Sequence, residues 1–102
     1  MDECSYIRVR WMHAFPDEPT DLWRQLDADR REVRKVEIWS DGRVGYAPNS
    51  QGSERTRLGK LSVPPTDEIN SDPQFHAKAI TRADFEMCRL DAIDGVARSG
   101  VF

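Results

Sequence analysis

Cysteine is scarce in this chain: Cys4 and Cys88 are the only two, and they stand near opposite ends. A disulfide would require these two to meet in space, which sequence does not establish, and reduced thiols of a cytosolic protein are the plain expectation. A zinc site would need Cys4, His13, His76 and Cys88 to converge from four separate places, without the short paired spacings of structural zinc centres. Asp27-Ala28-Asp29 lacks the later glycine and terminal glutamate of a calcium loop. Long apolar runs are missing too, so no stretch is suited to span a bilayer. The first twenty residues mix Asp2, Glu3, Arg8 and Arg10 with no leader-like apolar segment, and the expected location is the cytoplasm. There is no nucleophile elbow, phosphate loop or dinucleotide fingerprint. The expectation is therefore a protein without cofactor or metal that is not an enzyme. A surplus of basic charge is absent as well: the formal net charge is -3. That disfavours nonspecific attachment to nucleic acid or to an anionic membrane and suits a basic protein partner.

What is present is an interleaved pattern. At 102 residues, 38% apolar and 32% charged, the chain is sized for one domain with one core, spanning residues 1–102. In Tyr6-Ile7-Arg8-Val9-Arg10-Trp11, apolar Ile7, Val9 and Trp11 alternate with Arg8 and Arg10, the period of a half-buried strand. His13-Ala14-Phe15-Pro16-Asp17-Glu18-Pro19-Thr20 then forms a shaped acidic loop, because its two prolines restrict the backbone and remove ladder donors. Residues 21–27 fit two patterns: Leu22 and Leu26 share a helical face, yet Leu22, Arg24 and Leu26 also alternate with their neighbours. The strand reading is preferred, because a polar connector at 28–31 leads directly into 32–39, rich in β-branched and aromatic residues. Asp41-Gly42 then signals a tight hairpin into a strand at 44–47.

Residues 48–57 read as a mobile polar loop and 58–63 as a short edge strand. The segment from Pro64 to Pro73 reads as connector, with a one-turn helix at 67–70 capped by Thr66 and a break at Asp72-Pro73. A final helix begins after Thr81 as N-cap, with Asp84 in its first turn and Phe85, Cys88, Ala92 and Val96 on one face. Gly95 is placed to end that helix early, and 99–102 forms a tail. The predicted fold is α+β: an antiparallel sheet of four or five strands with a C-terminal helix packed on one face.

The block Tyr6-Ile7-Arg8-Val9-Arg10-Trp11-Met12-His13, the loop Phe15-Pro16-Asp17-Glu18-Pro19, and Glu32-Val33-Arg34-Lys35-Val36-Glu37 with Asp41-Gly42-Arg43 resemble a family of small uncharacterised bacterial single-domain proteins. Thr56-Arg57-Leu58-Gly59, Val63-Pro64-Pro65 and Ile80-Thr81-Arg82-Ala83-Asp84-Phe85-Glu86 extend the resemblance. It carries no catalytic residues. By analogy alone, small families of this shape resemble immunity proteins that neutralise toxin domains.

Residues 17–29 hold Asp17, Glu18, Asp21, Asp27 and Asp29 against the single cation Arg24. Such a patch would be steered toward a basic cleft, and an exposed Trp23 beside it would supply an aromatic anchor. The expected contact set is Asp17, Glu18, Trp23, Asp27 and Asp29, with His13 organising the loop. The bland alternative makes the acids a solvated rim and Trp23 core. Three other uses are conceivable: an intracellular adaptor with the same surface, a small enzyme pairing His13 with a carboxylate, and a single-strand nucleic-acid reader on an Arg8, Arg10 and Trp39 face. The arginines would instead be structural if they paired with Glu32 or Glu37. Cys88, among Phe85 and Ala92, reads as a small core hydrophobe.

Overall fold

The computed structural model describes residues 4–48 and 56–99, the side chains of 96–99 excepted. The described residues form β1 (Ser5–Trp11), β2 (Asp21–Leu26), β3 (Glu32–Ile38), β4 (Val44–Ala47), α1 (Thr66–Asn70), β5 (Phe75–Ala79) and α2 (Arg82–Ser99). The strands make one antiparallel sheet in the order β4-β3-β2-β1-β5. The predicted α+β architecture is therefore the observed one, and residues 21–26 are a strand. The expected tail beyond Ser99 and most of the loop at 48–57 lie outside the described residues.

Strand alternation divides the side chains into two sets, and both are covered. Tyr6 and Arg8 of β1 oppose Gln25 and Trp23 of β2, which oppose Arg34 and Val36 of β3. Helix α2 lies on this face: Phe85, with no exposed surface, meets Tyr6 at 5.6 Å between ring centroids, and Ala92 joins Val36 and Tyr46 in one cluster. Burying a side chain the size of Phe85 is worth about 1.5–3 kcal/mol. On the reverse face Ile7, Val9, Leu22 and Leu26 form a second cluster with Val63 and Ala77, and Ile69 of α1 packs against it. The helix thus sits on the Arg8 side, because Tyr6, Trp23, Val36 and Tyr46 present more aromatic surface there than alternation in β1 alone reveals.

The connections explain the remaining differences from expectation. Residues 58–63 are not a strand. They form a strap in which Val63 N–H donates to Arg30 O at 2.7 Å, while the Arg30 guanidinium donates from Nε to Val63 O at 2.9 Å and from Nη2 to Pro64 O at 2.8 Å. This ties Arg30, held at φ 59°, to the core entry of Val63. The fifth strand is Phe75–Ala79, in a stretch that the sequence reading assigned to no element. Its Ala and Lys content gives weak strand propensity, and pairing with β1 supplies what propensity does not. Pro65, not Thr66, occupies the N-cap of α1, with no side-chain cap bond.

At α2 the cap is as expected. Asp84 N–H donates to Thr81 Oγ1 at 3.0 Å and Thr81 N–H donates to Asp84 Oδ2 at 3.2 Å, a reciprocal box that satisfies two orphan donors. Gly95 does not end the helix, which continues to Ser99. A β-carbon at Gly95 would stand 3.0 Å from Val44 Cγ2, so glycine here allows helix and strand to approach closely. The side chain of Val96 lies outside the described residues.

Candidate functional site

One end of the sheet gathers the residues that have chemistry to offer. The 12–19 loop spans this end from β1 to β2, closed by Trp11 N–H to Thr20 O at 2.9 Å and Thr20 N–H to Ile38 O at 2.9 Å. His13 shapes it from within: Nδ1 accepts the Phe15 N–H at 2.9 Å, so Nε2 carries the proton and donates to Pro19 O at 2.8 Å. Both ring nitrogens are occupied by backbone, and this organising role is the one expected of His13. No His13 carboxylate pair is assembled with Asp17 or Glu18.

Around this ring runs a ladder of aromatics. Phe75 stacks on Trp11 at 5.9 Å, Trp11 meets His13 edge-on at 4.3 Å, and His13 stacks with Phe15 at 5.6 Å. Phe15 is 64% exposed and Met12 57% exposed. Asp17 and Glu18 are exposed on the same loop. Single exposed apolar residues are ordinary; Phe15 here is the exposed end of an aromatic stack and lies on the same loop as two exposed carboxylates.

Behind the carboxylates lies an open cleft of about 420 Å3, lined by Asp17, Glu18, Pro19, Glu37 and Trp39. Trp39 is buried and donates Nε1–H to Asp17 O at 3.2 Å, while the Arg43 guanidinium sits over its ring at 5.6 Å and donates to Pro16 O at 3.0 Å. Glu37 is 9% exposed. Burial pushes its carboxyl above the usual carboxylate range, and the nearby Lys35 and Thr56 offset part of that effect. Lys35 Nζ is committed to Glu32 Oε1 at 3.0 Å, and Arg24 Nε lies 2.9 Å from Glu32 Oε2. Thr56 Oγ1 is buried beside the Glu37 carboxylate.

The other expected contact residues lie elsewhere. Asp27 and Asp29 are at the opposite end of β2, where Asp27 Oδ1 accepts the backbone N–H groups of Asp29 and Arg31, each at 2.9 Å, to close the β2–β3 turn. Trp23 is half-buried beneath α2, with the Arg8 guanidinium 4.6 Å from its ring centroid. It does not stand beside the loop carboxylates, because strand register turns it to the helix face. Asp21 is engaged by Arg8 through two hydrogen bonds, at 2.9 and 2.7 Å. The five acids are thus not one patch: a strand of six residues separates Asp17 and Glu18 from Asp27 and Asp29. Nor do Arg8, Arg10 and Trp39 make one surface, since Arg8 lies under α2 while Trp39 is buried against the loop. Glu32 and Glu37 do not pair with these arginines, because the register sends them to the opposite face.

Cys88 lines an open cleft beside α2 with Trp23, Asp21 and Asp91. Burial, then the neighbouring Asp21 charge, pushes its thiol up to about 12, which leaves it without thiolate character at neutral pH. Among the described residues no group of His, Cys, Asp and Glu is arranged to hold a metal ion, and no helix is long and apolar enough to cross a membrane.

Reading from sequence missed Phe15, Trp11 and Phe75 as one surface, and Glu37 as part of the cleft. The alternation of Lys35, Glu37 and Trp39 was the available signal for the cleft. Nothing local links Phe75 to Trp11 across the intervening chain. No curated protein and no solved structure shows significant similarity to the chain. A family profile matches residues 5–93, nearly all of the sheet and helix just described, and the chain belongs to that family, the Domain of unknown function (DUF6881).

Proposed function

We propose that the protein is a non-catalytic binding module that engages a basic protein partner through the loop end of its sheet. The observation that carries this reading is the exposed Phe15, stacked through His13 and Trp11 onto Phe75 and flanked by the exposed carboxylates of Asp17 and Glu18. An aromatic anchor on a braced loop loses little entropy when it docks, and adjacent carboxylates accelerate encounter with a positive surface. The occupied nitrogens of His13 and the suppressed thiol of Cys88 support binding over catalysis. Neutralisation of a basic toxin domain in the bacterial cytoplasm is the specific form proposed. An adaptor would use the same surface and differ only in its partner.

Affinity capture with the tagged protein, followed by mass spectrometry, identifies what binds. Phe15→Ala is expected to weaken the captured complex by about 1–2 kcal/mol. Asp17→Lys with Glu18→Lys is expected to slow association roughly tenfold at low salt and to flatten its salt dependence. A complex indifferent to both variants removes this surface from the interface.

A further inference from the structure

We infer that the cleft between α1 and the reverse face of the sheet is a binding site for a free α-amino acid with a large apolar side chain, held as its zwitterion. This goes beyond the partner surface and does not depend on it. The cleft has a volume of about 420 Å3, inside the range of about 300–1,000 Å3 usual for small-molecule sites. Its walls are mostly apolar: Val9 and Leu22 from the sheet, Pro64 and Ile69 from the strap and α1, and the stacked rings of Trp11 and Phe75, 5.9 Å between centroids. Arg24 also lines it, as do Glu68 and Asp72. In the strand register Arg24 lies opposite Ile7, while Phe75 lies opposite Trp11, four residues further along β1. The cationic and aromatic parts of the wall are therefore set apart along the strand, as an amphipathic ligand requires.

The charged groups select the head of that ligand. Arg24 Nε stands 2.9 Å from Glu32 Oε2, but out of line, so this buried N–H closes no hydrogen bond among the described residues. Glu32 is already shared, since its other oxygen accepts from Lys35 Nζ at 3.0 Å and from the Gly59 N–H. A guanidinium carries five N–H donors and grips a carboxylate through two of them, so Arg24 keeps capacity for an incoming carboxylate. Glu68 and Asp72 close no ion pair among the described residues, and Asp72 Oδ1 accepts the Gln74 N–H at 3.0 Å. A plain carboxylic acid would be repelled by these two acids, and a plain amine by Arg24. A zwitterion answers both signs and adds no net charge to the cleft. Its side chain is left to Trp11, Phe75 and the aliphatic walls, where burial supplies the affinity.

The test is an NMR titration of isotope-labelled protein with L-phenylalanine and L-leucine, read at the indole N–H of Trp11, which donates to Gln74 Oε1 at 3.2 Å on the edge of the cleft. The indoles of Trp23 and Trp39 lie outside the cleft and serve as internal controls. Three truncated ligands dissect the site: phenethylamine lacks the carboxylate, 3-phenylpropionate lacks the ammonium, and L-alanine lacks the large side chain. Expected is a saturable shift at Trp11 with phenylalanine or leucine, the controls unmoved, and a response at least roughly tenfold weaker to each truncated ligand. Arg24→Gln is expected to reduce phenylalanine to the level of phenethylamine. Glu68→Gln with Asp72→Asn, outside the core, is expected to reduce it to the level of phenylpropionate and keeps the test valid whatever Arg24→Gln does to folding. Silence at Trp11 with both amino acids, equal movement of all three indoles, or a truncated ligand that binds as well as phenylalanine overturns the site. So does a response unchanged in the double variant. Partner capture indifferent to Phe15, Asp17 and Glu18 would overturn the binding module and leave this site standing.

Discussion

Glu37 is the residue at which burial and charge pull in opposite directions. Its carboxyl titrates higher in the folded protein than in the unfolded chain, because burial penalises the charged form. The folded state therefore holds the proton longer, and stability falls as pH rises from the unfolded carboxyl value through the folded one. Glu37→Gln is expected to raise unfolding free energy at neutral pH, with the gain vanishing once pH drops below both values. Denaturant melts at neutral pH and at pH 3 check this; a variant less stable than the parent at neutral pH would show that the carboxylate is satisfied. The sequence made the alternation of Lys35, Glu37 and Trp39 visible. It did not show that Lys35 would be taken by Glu32, since that depends on the register shift at Gln25/Leu26 that brings Glu32 opposite Leu26.

At the scale of elements, β5 shows how an edge is closed without a further strand. Asn70, the last residue of α1, donates from Nδ2 to Ala77 O at 2.9 Å and accepts the Ala77 N–H at Oδ1 at 2.6 Å. One side-chain amide thus imitates the peptide of a neighbouring strand and blunts a pairing edge. Asn70→Ala is expected to cost about 1–3 kcal/mol by unpairing both groups, and to promote self-association through the freed edge. Light scattering at rising concentration, together with thermal melts, measures both; a monomeric variant of parental stability would refute the role. β1 was legible from its own alternation and the β3–β4 hairpin from Asp41-Gly42, whereas β2 fitted two periods and was read as a strand only from the segment that follows it. β5 was not, because its identity is settled by Val9 and Asn70 on either side of Ala77, and no property of 75–79 taken alone announces a strand. The end of α2 was misread for a related reason: Gly95 answers to Val44, a residue far away in the chain.

Considered whole, the molecule is a single sheet with a core on each side, and its two clusters meet through the shared backbone of β1, β2 and β3. Neither cluster can be lost while the sheet survives, so unfolding is expected as one transition. Trp11 and Trp39 report the loop end and Trp23 the α2 face, and tryptophan fluorescence should share its denaturant midpoint with far-ultraviolet circular dichroism. Separate midpoints would show that the two layers melt independently. The candidate site is a property of this same scale. It draws on β1, the 12–19 loop, β3 and β5, which is why single residues such as Phe15 and His13 were readable as a loop but not as a ladder. Strand order has a further consequence, for synthesis: β1 leaves the ribosome first, yet it pairs on one side with β5, whose residues follow near position 79. At roughly 5–20 residues per second the nascent chain carries that open edge for several seconds. Arg8 and Arg10 put two positive charges along that open edge, a composition that disfavours pairing between one unfinished chain and the next on a polysome.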